Sequence, residues 1–112
     1  MKPPLSVAIM SIVYILAGAS GILYHAPELL NIFSQPGQVW VLVVRLLAII
    51  GGVFALRGAN WSRWLIVAWI LYHVYLSFFH ETAELVMHAV IAAITVIAFF
   101  NGKANSFFSA KH

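Results

Sequence analysis

Four runs of apolar residues divide the chain: Leu5 to Tyr24, Val39 to Leu56, Trp64 to Phe79 and Ala83 to Phe100. The polar residues collect in the gaps between them. At 1.5 Å per residue, about 20 helical residues cross roughly 30 Å of hydrocarbon, and the first run has that length. The pattern predicts an all-α integral membrane protein, a single transmembrane domain over residues 1–112 built as a four-helix bundle of up-down-up-down topology. Ala17-Gly18-Ala19 has the look of a signal-peptide cleavage site. The segment before the first run, however, carries one lysine beside two prolines, and it reads as the lead into a retained span.

Local signals set the limits of each run. Pro27 stops the first, and Ser34-Gln35-Pro36-Gly37 reads as a turn before the second. Between them, Leu29, Leu30, Ile32 and Phe33 suit a short interfacial amphipathic piece. The third and fourth runs are joined by His80-Glu81-Thr82, a connection short enough to require antiparallel neighbours, with Thr82 as the expected N-cap. Asn101-Gly102 reads as a helix stop, which leaves Lys103 to His112 as a short tail. Gly18, Ala19, Ser20 and Gly21 form a flat surface, with Ala17 and Gly21 at small-xxx-small spacing, and we expect it to pack against another helix of the same chain.

Composition agrees with the pattern: 63% of the 112 residues are hydrophobic and only 8% are charged, too few to solvate a globule of this size. The net charge of +3 bears on topology, since six scattered Lys and Arg make no stripe for a phosphate backbone and no nucleic-acid partner is expected. Arg57 and Arg63 flank one loop, and the positive-inside rule places that loop in the cytoplasm. Four crossings then put Lys2, Lys103 and Lys111 on the same side, and Glu28, Glu81 and Glu84 on the other. Both termini are therefore expected in the cytoplasm. The absence of cysteine and aspartate excludes disulfides, thiolate chemistry and a Ser-His-Asp triad.

Ionisable residues inside the runs mark a candidate site. Arg45 lies six residues into the second run, His73 six before Phe79, and His88 five after Ala83, which places all three about 8 to 9 Å deep in the extracytoplasmic leaflet. Arg45 shares a face with Ala48, Ile49 and Gly52 and should point inward. His73, Ser77 and His80 form one stripe, and Glu84, His88, Ala92 and Thr95 form another; the two stripes should face each other and Arg45, roofed by His25, Glu28, His80 and Glu81. A guanidinium with two imidazoles suits an anionic or carbonyl-bearing guest such as a quinone headgroup, a fatty-acid head or a small acid. The blander alternative has Arg45 neutralising Glu84 while the histidines tie helices together. His80, Glu84 and His88 are competent metal ligands, but Arg45 would oppose a cation. Haem between His73 and His88 would need room that adjacent hairpin helices do not leave. Trp40, Trp61, Trp64 and Tyr24 fit interfacial belts; Trp69, Tyr72 and Tyr75 could line a pocket but fit core or lipid-facing roles better.

The stretch Arg45-Leu46-Leu47-Ala48-Ile49-Ile50-Gly51-Gly52-Val53-Phe54-Ala55-Leu56-Arg57-Gly58, followed by Asn60-Trp61-Ser62-Arg63-Trp64-Leu65, resembles the DoxX-like group of small four-span bacterial membrane proteins. The resemblance implies a bacterial inner-membrane location and, through some relatives, a link to quinone redox systems. It transfers no site, because Arg45 stands where that group often carries an acidic residue. The length is similar to that of small multidrug resistance transporters, but Leu5 to Tyr24 lacks their membrane-embedded glutamate. The sequence favours a non-catalytic accessory or scaffold subunit, alone in the bilayer, in a homo-oligomer or in a larger membrane complex. A binding module for a quinone, lipid or small acid at Arg45, His73 and His88 is the alternative. A small transporter or channel comes third.

Overall fold

The computed structural model describes residues 2–24, 27 and 36–109. Within them the chain forms five helices: α1 (Leu5–Tyr24), α2 (Pro36–Leu56), α3 (Asn60–Ser77), α4 (Thr82–Phe100) and α5 (Gly102–Ser109). Three of the long apolar segments, Leu5–Tyr24, Val39–Leu56 and Thr82–Phe100, have the length and composition to cross a membrane. The third helix falls outside that set because it carries Asn60, Arg63, His73 and Ser77. Large apolar side chains face outward along the three, with Leu16 59%, Met87 51% and Ile97 70% exposed. An outer surface of this kind suits lipid and not water.

Helix ends follow from identifiable residues. Pro36 opens α2, so Pro36-Gly37 begins a helix where the sequence reading has a turn; proline is tolerated in a first turn, whose N–H groups have no helical partner. The α2 to α3 corner is a Schellman motif, in which Ala59 N–H donates to the Phe54 carbonyl and Gly58 N–H to that of Ala55. Gly58 sits at φ 81°, a conformation that needs glycine. Helix α3 starts at Asn60 and stops at Ser77, earlier at both ends than the expected 64–79. Thr82 is not the N-cap of α4: Glu81 holds that place in extended conformation, without a side-chain capping bond.

The expected tail is a helix. Asn101 both ends α4 and starts α5: its Nδ2 donates to the carbonyls of Ile97 and Ala98, while its Oδ1 accepts the Ala104 N–H. Helix α5 buries Ala104, Phe107 and Phe108. Arg63 fastens it in place, donating from Nη1 to the Phe99 carbonyl at 3.1 Å and to Asn105 Oδ1 at 2.7 Å, with its guanidinium 4.5 Å above Phe100 and 5.1 Å above Phe108. The interfacial piece expected around Leu29 to Phe33, with His25, Glu28 and His112, lies outside the described residues.

Each long helix packs against the next, and α4 returns onto α1. The pairs run antiparallel, as Trp61 on Phe54 and Trp69 on Val44 show for α2 and α3. Val7, Ser11, Tyr14 and Gly18 form the buried stripe of α1 at helical spacing. Its contact with α2 is intramolecular, but the register differs from the expected pair, since Ala17 is exposed while Gly18 and Gly21 meet α2. A Cβ at Gly18 would lie 2.6 Å from the Arg45 carbonyl oxygen, and one at Gly52 2.7 Å from that of Ser11. These obstacles are backbone and cannot swing aside. We predict that Gly18→Val destabilises the protein by about 1–3 kcal/mol through forced helix separation. Gly37→Ala, where a Cβ meets nothing within 4 Å, should be neutral or stabilising. Thermal unfolding of both variants in one detergent checks the pair.

Candidate functional site

The close contact of α1 with α2 decides where Arg45 goes. Its Nε would lie 2.8 Å from a Cβ at Gly21, so the side chain runs across the bare surface of that glycine. There it borders a half-open cleft of about 290 Å³ among α1, α2 and α3, with Gly18, Trp40, Trp69, Tyr72 and His73 on the walls. Arg45 is half-buried, and among the described residues it makes no hydrogen bond or ion pair. A guanidinium placed this way in an apolar span is a site that invites an anion.

The walls are held by hydrogen bonds that use up most of their donors. Trp69 Nε1–H donates to the Val44 carbonyl at 2.8 Å, bridging α3 to α2. Trp40 Nε1–H donates to the Tyr72 hydroxyl at 2.9 Å, with the two rings edge to face. His73 stacks on Trp69 with ring centroids 3.9 Å apart, and its Nδ1 lies 2.9 Å from the Trp69 carbonyl. A carbonyl only accepts, so Nδ1 carries a proton, and when the ring is neutral Nε2 is an acceptor.

His88 stands behind His73, with ring centroids 5.8 Å apart. The Ser77 hydroxyl donates to the His73 carbonyl at 2.8 Å and lies 2.6 Å from His88 Nδ1. One hydroxyl has one proton, so His88 Nδ1–H must donate to Ser77 Oγ. Both imidazoles thus take the same tautomer. Lower in the protein, the Tyr14 hydroxyl pairs with Thr95 Oγ1 at 2.7 Å, joining α1 to α4.

Of the sequence-predicted residues, Arg45 and His73 meet in the cleft and His88 contacts His73 from α4. His80 and Glu84 stand apart: they pair with each other at 3.2 Å, 58% and 40% exposed. The expected stripe through His80 needs the helix to continue past residue 79, but α3 ends at Ser77 and the turn carries His80 away. Glu84 therefore pairs with His80 and not with Arg45. Among the described residues no three His or Glu side chains are close enough to share a metal ion, which applies to His80, Glu84 and His88. The sequence reading left Trp40, Trp69 and Tyr72 out of the site. The signal that connects them is spacing, since Trp69 precedes His73 by one helical turn and Tyr72 is its neighbour.

Comparison with protein-family models, with curated proteins and with solved structures finds no match. The function is argued from the site itself. We predict that side-chain nitrogen NMR of histidine-labelled protein shows a proton on Nδ1 of both His73 and His88. Ser77→Ala should free His88 alone and cost about 1 kcal/mol of stability, the usual worth of a buried hydrogen bond.

Proposed function

We propose that the protein is a small membrane-embedded binding module that holds a lipophilic guest by an anionic or carbonyl-bearing head at Arg45, in the cleft that His73 lines. The proposal places the chain in the bacterial inner membrane, crossing four times up-down-up-down with both termini in the cytoplasm. The cleft then lies in the extracytoplasmic leaflet. A quinone, a lipid and a small acid are the candidate guests.

The observation that carries the reading is the half-buried guanidinium of Arg45, beside an open cleft and without a counter-ion among the described residues. A scaffold with a purely structural polar cluster calls for a different arrangement, with Arg45 satisfied by Glu84 and no cleft beside it. The pairing of Glu84 with His80 supports the binding reading. The described lining of the cleft carries no Ser, Thr, Cys or Lys side chain, and binding is the role its groups support. An accessory role in a homo-oligomer or larger complex has its own support in the bonds of Tyr14 to Thr95 and Ser77 to His88, which tie three helices together.

Native mass spectrometry of protein purified in mild detergent tests the proposal. The wild type should carry a small lipophilic adduct that Arg45→Gln and His73→Ala lose and that Glu84→Gln, outside the cleft, keeps. An adduct-free wild type, or one whose adduct all three variants retain, would overturn it.

A further inference from the structure

We infer that the guest is a single-chain amphiphile with a carboxylate head, bound through Arg45 and the Tyr72 hydroxyl, with its tail in an apolar groove between α2 and α3. This rests on the binding reading above and names the ligand class.

A second hollow of about 310 Å³ adjoins the Arg45 cleft and shares Trp40, Val44, Trp69 and Tyr72 with it. Its remaining walls are Leu47, Leu65 and Ala68, all apolar. Ligand sites usually fall between about 300 and 1,000 Å³, so each hollow alone is at the small limit. A molecule that occupies both, passing the aromatic walls they share, would be polar at one end and apolar along the rest.

The donors and acceptors select the head. Trp40 Nε1–H is committed to Tyr72, Trp69 Nε1–H to Val44, and His73 Nδ1–H to Trp69. Two donors are left for a guest among the lining residues: the Arg45 guanidinium and the hydroxyl proton of Tyr72, whose oxygen already accepts from Trp40. A carboxylate has two acceptor oxygens and a charge opposite to that of Arg45, and it satisfies both donors. A neutral quinone carbonyl would leave the guanidinium charge uncompensated in apolar surroundings. A single tail matches the groove between α2 and α3, which among the hollows of the described residues shares walls with the head cleft. A further apolar hollow, lined by Ile9, Met10, Ile94 and Ile97 between α1 and α4, shares no residue with the cleft.

The probe is radiolabelled hexadecanoate, added to the protein in phosphatidylcholine nanodiscs and read against empty discs. Saturable binding is expected, with no competition from methyl hexadecanoate, which has the same tail but no charge. Arg45→Gln should weaken binding at least about tenfold and Tyr72→Phe by about threefold to tenfold, as for loss of charge-assisted hydrogen bonds. Ala68→Trp, which fills the groove, should lose hexadecanoate while still binding octanoate, whose short chain does not reach that far. Retained octanoate binding also shows that this variant is folded. Equal competition by the methyl ester, or hexadecanoate binding untouched by Ala68→Trp, would overturn the inference. If the purified protein carries instead an uncharged guest that Arg45→Gln releases, the carboxylate assignment fails and the binding reading stands. If neither hexadecanoate nor any co-purifying guest binds saturably, both fall.

Discussion

The arrangement depends on how closely α1 can approach α2. Gly18 and Gly52 bring backbone within the reach of a single Cβ, and Gly21 leaves a bare patch that the Arg45 side chain crosses. In a membrane, where apolar burial drives helix association weakly, van der Waals contact of this kind is what holds helices together. It also settles the position of the cation. With larger residues on α1, Arg45 would need another route; an arginine left in hydrocarbon at mid-helix costs about 2.5–3.5 kcal/mol on insertion scales. Laid across Gly21, it borders the cleft that α2 and α3 wall with aromatic rings.

The protein is unequal along its length. One end is packed around a core: Val7, Ala55, Ile66, Ala98 and Phe99 cluster there, and Phe107 and Phe108 of α5 complete it. Arg63 joins α3, α4 and α5 there through carbonyl, amide and ring contacts. The other end holds the half-buried polar groups, Arg45, His73 and His88, with Ser77 between the histidines. A packed end and a polar, hollowed end suit a binding site on a helical scaffold, where packed helices hold the walls in place.

Much of this was legible from local pattern. The extent of α1 follows from an unbroken apolar run that ends before Pro27. The inward face of Arg45 followed from its neighbours at three, four and seven residues, and Ala48 and Gly52 are indeed buried. Counting depth along each run brought Arg45 and His73 to one level. What escaped depended on contacts that one helix does not encode. Asn101-Gly102 reads as a stop because nothing local reveals that Asn101 caps a further helix, or that Phe107 and Phe108 have a core to enter. Trp40 suits an interfacial belt and Tyr72 a core or lipid-facing role as well as either suits a cleft wall, and their mutual hydrogen bond is what joins them in the cleft. His80 was misplaced because a face extrapolated by spacing holds only while the helix continues.

The segment on which the membrane reading turns is α3, whose polar residues keep it out of the set of long apolar helices although it supplies His73, Tyr72 and Trp69 to the cleft. The chain has no cysteine, so single cysteines placed at Ala59 and Glu81, on either side of α3, can be labelled in intact cells without background. The account predicts that a membrane-impermeant maleimide modifies the cysteine at 81 from outside and reaches the one at 59 only after the membrane is opened. Labelling of both from the same side would mean that α3 does not cross, and would contradict the four-span architecture on which the cleft's position in the bilayer rests.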